Sequence, residues 1–69
     1  LPFASELVPL LGDSNARVRA ASARALGAVG EYADALEVKK LLKDPEVDVR
    51  REAGGALTLL SQRLDRVIE

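Results

Sequence analysis

The chain has 69 residues, 48% of them hydrophobic and 30% charged, with a net charge of −1 and Phe3 and Tyr32 as its aromatic residues. That length admits one thin core, and the interleaved, near-neutral charge argues against the one-signed footprint of a nucleic-acid or anionic-membrane binder. Histidine and cysteine are absent, which excludes disulfides and thiolate metal sites and removes the commonest general base and the best nucleophile.

No apolar run approaches the roughly 18 residues needed to span a bilayer, and no charged segment leads into an apolar export signal. A protein partner and a reducing, cytoplasmic setting are therefore expected, with no cofactor and no metal. The chain also lacks methionine and opens on the apolar Leu1, Pro2 and Phe3. That start reads as a piece excised or processed from a longer protein.

The first predicted helix is short, with Phe3, Leu7, Leu10 and Leu11 at three- and four-residue spacing on one face. Pro9 interrupts it. A helix starting at Pro2 is bent by the missing donor, whereas one capped by Ser5 meets Pro9 at its fourth position and is disturbed less. The segment is expected to be kinked or late-starting. Gly12-Asp13-Ser14-Asn15 then reads as a turn that ends one helix and caps the next. The second helix carries an apolar stripe of Val18, Ser22, Ala25, Leu26 and Val29, with Arg17 and Arg24 pointing away. Gly27 and Gly30 weaken its end, and Gly30 is the natural stop.

Tyr32 falls in the connection, as a packing residue over the junction. A third helix, about Asp34 to Lys43, places Ala35, Val38, Leu41 and Leu42 inward and ends in lysines that suit the helix dipole. Glu31, Asp34 and Glu37 read as a solvated helix start and not as an acid/base pair, because nothing supplies the burial that would perturb them. Lys39, Lys40, Lys43, Arg50 and Arg51 are interrupted by acids and read as a solvated surface. Asp44-Pro45-Glu46 restarts the chain, with Asp44 as N-cap and Pro45 at the first helical position. The fourth helix carries Val49, Ala53, Ala56, Leu57 and Leu60, and its stripe continues through Leu64, Val67 and Ile68. Two endings stand open: an unbroken run to the C-terminus, or a break near Ser61.

These elements repeat. The stretch from Asp13 to Leu26 and the stretch from Asp44 to Leu57 carry one pattern displaced by 31 residues, and a period between about 20 and 50 residues is the signature of a solenoid. Each copy reads as a short helix ending in Leu-Leu-x-Asp, a tight turn, and a longer helix opening on Val-Arg. The units run from about 1 to 30 and 31 to 61, with 62–69 as a tail in a single domain.

The pattern Leu-Leu-x-Asp-x-x-x-x-Val-Arg-x-x-(Ala/Ser)-x-x-Ala-Leu resembles the HEAT repeat, in the short form found in bilin lyase-related proteins. The resemblance implies an all-α, right-handed α-α superhelix of two helical hairpins, about four helices, with the Val-Arg helices lining a concave face. It also implies a ladder of turn aspartates and helix arginines between adjacent repeats, which here falls on Asp13, Arg19, Asp44 and Arg50. An arginine fork that satisfies a capping carboxylate makes physical sense of that ladder as structure and not catalysis. Ser22 departs from the usual alanine. Gly54 and Gly55 sit inside the fourth helix, where each costs about 0.5 to 1 kcal/mol relative to alanine. They read either as a close helix contact or tolerated drift, or as an accessible backbone on the concave face.

The resulting expectation is a non-catalytic protein-protein interaction scaffold, with Arg17, Arg24, Arg51 and Gly55 as candidate partner contacts. The alternative is a regulatory or docking segment of a HEAT-containing enzyme of lyase or hydroxylase type, although the paired His-Glu motifs of the hydroxylases are absent. A third expectation is end-to-end self-association, since Leu1, Val8 and Leu59 lie off the main stripes and two units fall below the roughly three that solenoids usually need.

Overall fold

The structure is a computed structural model that describes residues 4–69. The expectations placed on Leu1, Pro2 and Phe3 lie outside the described residues. In chain order the elements are α1 (Ala4–Leu7), a 3₁₀ segment (Val8–Gly12), α2 (Ala16–Val29), α3 (Tyr32–Lys39), a second 3₁₀ segment (Lys40–Lys43) and α4 (Val47–Leu64). Among the described residues all regular structure is helical. The long helices α2 and α4 pack along each other, and the short elements form a second layer against them.

Both short helices tighten to 3₁₀ geometry just before the turn aspartate. Only the first contains a proline, so the tightening belongs to the repeat, and Pro9 is tolerated where α-helical hydrogen bonding is already ending. The expected kink is thus a change of helix type at Val8. Ser5 does not cap the helix; it lies inside α1.

The core consists of Leu7, Leu11, Ala20, Ala23, Leu26, Val38, Leu41, Val49, Ala53 and Ala56, and Leu60 is fully buried beside it. So many alanines place the α2 and α4 backbones close together. The tightest point is Gly27, where a Cβ would stand 3.0 Å from Ala56 Cα. By contrast, a Cβ on Gly54 or Gly55 would meet nothing within 4 Å. The glycine at the close contact between α2 and α4 is therefore Gly27, expected only to weaken a helix end, and the Gly54-Gly55 pair makes no such contact.

Several stripe residues are not inside. Leu10 is 39% exposed while its counterpart Leu41 is 8%, and Val29 is 42% exposed while its counterpart Leu60 is 0%. The opposite imbalance holds for Leu42, at 41%, against Leu11, at 7%. Helical spacing assigns these side chains to apolar faces, but a face is buried only where the other hairpin covers it. Of the off-stripe residues, Val8 packs partly against the core and Leu59 is exposed.

The helix boundaries differ in three places. Tyr32 is the first residue of α3 and not part of the connection, because Asp34 reaches back to accept the Glu31 N–H at 2.8 Å and starts the helix earlier. The residue at the N-cap of α4 is Glu46, and Asp44 serves the turn by accepting the Glu46 N–H at 2.9 Å. Finally, α4 ends neither at Ser61 nor at the C-terminus. Asp65 takes a left-handed conformation (φ 50°, ψ 54°), with Asp65 N–H donating to Gln62 O at 3.3 Å and Arg66 N–H to Ser61 O at 3.1 Å. That is a Schellman stop, and it leaves Val67 and Ile68 outside the helix.

Candidate functional site

The turns at Asp13 and Asp44 face the same edge of the molecule and are joined by Arg19. Its Nε donates to Asp44 Oδ2 at 2.7 Å and its Nη2 to Asp44 Oδ1 at 3.1 Å, while Nη1 donates to the Asp13 carbonyl at 2.7 Å. One guanidinium thus ties the turn of the first hairpin to the carboxylate of the second. Fork geometry makes such pairs strong as well as directional. Arg50 repeats half of this arrangement, donating Nη1 to the Asp44 carbonyl at 2.6 Å. Asp13 caps its own turn by accepting the Asn15 N–H at 2.8 Å, and Asn15 in turn caps α2 by accepting the Arg17 N–H at 2.8 Å. Of the four ladder residues, one carboxylate and one guanidinium form the ion pair.

The pair is sheltered, with side-chain exposures of 14% for Arg19 and 5% for Asp44. The Arg19 hydrogen bonds hold the Asp44 carboxyl below the ordinary carboxylate range; burial opposes this and the Glu46 N–H assists. The same hydrogen bonds push Arg19 further up, against the effect of burial. Three donors, Arg19 Nε and Nη2 and the Glu46 N–H, converge on the Asp44 carboxylate and favour its charged form.

A second arrangement lies between the long helices, away from the short-helix layer. Ala16, Arg17, Ala20 and Arg24 of α2 and Asp48, Arg51 and Glu52 of α4, with Glu46 before it, line an open groove of about 390 Å³. Arg24 Nε stands 3.4 Å from Glu52 Oε1 across the groove, and Arg51 Nη1 donates to Asp48 Oδ1 at 3.2 Å along α4. The Arg51–Asp48 pair is solvent-exposed and the Arg24–Glu52 pair partly so, and both hold the walls only weakly. Arg17 has no ion pair among the described residues. Of the four candidate contact residues, Arg17, Arg24 and Arg51 come together here. Gly55 is exposed on α4 but is not part of the wall.

Two contacts at the opposite edge escaped the reading of the sequence. Arg63 Nη1 donates to Gly30 O at 3.0 Å and Gly27 O at 3.4 Å, capping the end of α2 from α4. The Arg66 guanidinium lies 3.7 Å from the centre of the Tyr32 ring, a cation–π contact. Residue 63 corresponds to Tyr32 in the 31-residue register, so the repeat gives no hint of an arginine there. Glu37 is engaged with Lys40 at 3.1 Å, and no cluster of acids among the described residues could hold a metal ion. No helix among the described residues is long and apolar enough to cross a membrane.

A family model described as HEAT repeats matches residues 4–58. No curated protein and no solved structure matches the chain.

Proposed function

The chain belongs to the HEAT-repeat family, and on that premise we propose that it is a non-catalytic, cytoplasmic interaction scaffold which binds a protein segment in the groove between α2 and α4. The observation that carries this reading is the convergence of Arg17, Arg24 and Arg51 from two helices on one open groove. In a right-handed superhelix of such hairpins the long helices line the inner surface, where a partner segment would contact both at once. Arg17 favours a partner that presents carboxylates, since its guanidinium has no competing acid to displace. The Arg51–Asp48 pair is exposed and the Arg24–Glu52 pair partly so, and both exchange readily for equivalent pairs with a ligand.

The reading is tested by selecting a displayed peptide library on the chain and repeating the selection on Arg17→Glu, Arg24→Glu and Arg51→Glu. Enrichment of acidic peptides that each variant loses, with circular dichroism unchanged, is the expected outcome. Peptides that bind all three variants as well as the parent would place the binding surface elsewhere.

A further inference from the structure

The joint between the two hairpins has two different sides, and each side also occurs uncovered on this molecule. One side is that of the first hairpin, built around Leu11, Ala16 and Arg19. Its counterparts in the second hairpin, Leu42, Val47 and Arg50, are all exposed. The other side is that of the second hairpin, built around Leu41, Asp44 and the fully buried Val49. Its counterparts in the first hairpin are the exposed Leu10 and the half-buried Asp13 and Val18. Leu10, Val18, Ala21 and Ala25 border an open, apolar hollow of about 430 Å³.

The ladder shows which way these faces fit. Arg50 holds the Asp44 carbonyl at 2.6 Å just as Arg19 holds the Asp13 carbonyl at 2.7 Å, but among the described residues only Arg19 has a carboxylate for the other edge of its guanidinium. Asp13 accepts its turn N–H at 2.8 Å as Asp44 does at 2.9 Å, yet only Asp44 has an arginine. One end of the molecule therefore carries the unmatched arginine and the other the unmatched aspartate. Pairing like ends would oppose like charges, whereas pairing unlike ends matches an arginine with a turn aspartate as at the turn edge of the internal joint.

We propose that this chain docks head to tail on a second copy of itself, with Arg50, Leu42 and Val47 of one copy against Asp13, Leu10 and Val18 of the next. The contact is anchored at the turn edge. Further along α4, Thr58 stands where the internal joint has Gly27 and cannot allow the same close approach, and the tail residues Val67 and Ile68 border Leu57 and Thr58. A contact of this kind is heterologous, so it builds rings or open chains of subunits and not an isologous dimer. Arg17 borders both the apolar hollow and the groove between α2 and α4, whereas Asp13, Leu10, Leu42 and Arg50 stand outside the groove.

Sedimentation of the whole chain from about 10 μM to about 1 mM, a span that registers weak association, provides the test. The expected result is an average mass that rises past the dimer with concentration. Arg50→Asp and Leu42→Glu should each weaken association by about tenfold or more, while the groove variant Arg24→Glu leaves it unchanged. Mixing Arg50→Asp with Asp13→Arg should restore association that neither shows alone. If circular dichroism shows that Asp13→Arg disturbs its turn, Leu10→Glu, at an exposed position, reads the same face. A monomer at every concentration, a closed dimer, or association indifferent to both Arg50→Asp and Leu42→Glu would overturn the proposal. The monomer result would assign both faces to other chain segments.

Discussion

The two hairpins share one sequence pattern and bury different parts of it. Val29 and Leu60 occupy the same place in the repeat, but Leu60 is enclosed and Val29 faces solvent. Leu11 and Leu42 show the reverse. Each hairpin has one apolar flank turned toward its neighbour and one turned away, so what a residue contributes depends on which hairpin carries it. Part of the apolar pattern, Leu10, Val29 and Leu42 among it, is left exposed.

Substitutions at matched positions test this directly. Leu60→Ala should cost about 2 to 5 kcal/mol, as expected for a buried leucine, whereas Val29→Ala should stay within about 0.5 kcal/mol, both read by urea denaturation. Equal losses would show that the two flanks are energetically alike.

The glycines give the next largest contrast. Gly27→Ala drives a Cβ to 3.0 Å from Ala56 Cα, and because backbone and not a flexible side chain must move, it should destabilise by about 1 to 3 kcal/mol. Gly54→Ala and Gly55→Ala enter open space on a helix and should each stabilise by about 0.4 to 1 kcal/mol. Thermal melts of the three variants suffice, and a gain from Gly27→Ala would contradict the close helix contact.

The turn aspartates come third. Asp44→Asn should lower the melting temperature more than Asp13→Asn, because only Asp44 receives the Arg19 fork. The Asp44 carboxyl is held below its unfolded value. It therefore binds its proton more readily in the unfolded chain, and its contribution is present above the unfolded value, near pH 4, and lost as pH falls through the lower folded value. The parent should lose stability through that acid range, and Asp44→Asn should flatten the loss. An acid limb that keeps its slope in Asp44→Asn would assign it to other carboxyls.

The smallest effect concerns how the long helices end. The helix of the second hairpin stops on its own backbone at Asp65, but that of the first is capped by Arg63 from its neighbour. Arg63→Ala should cost about 1 kcal/mol and speed amide exchange in the last turn of α2, leaving the end of α4 protected.

The helical hairpins and their repeat were legible because each leaves a periodic mark, and the pairing of an arginine with a turn aspartate was implied by the resemblance to the HEAT repeat. Leu7, Leu11, Leu26, Val38, Leu41, Val49 and Leu60 are inside, as spacing alone predicts. The groove was legible in part. Arg17, Arg24 and Arg51 were recognisable as outward positions, but their convergence depends on how α2 and α4 lie together. Arg63 and Arg66 left no mark, since their partners lie more than 30 positions away and break the register.

The sequence by itself thus determined that the chain forms helical hairpins, about where the turns fall and which side of each helix is apolar, all consequences of interactions within a few positions along the chain. It did not determine the ends of α3 and α4. Only the tertiary structure decided which apolar side is covered, that Gly27 and not Gly54 or Gly55 carries the close approach, and that Arg19 completes its ladder while Arg50 holds half of one. Those outcomes follow from which hairpin has a neighbour on which flank, and an identical repeat motif carries no information about its neighbours.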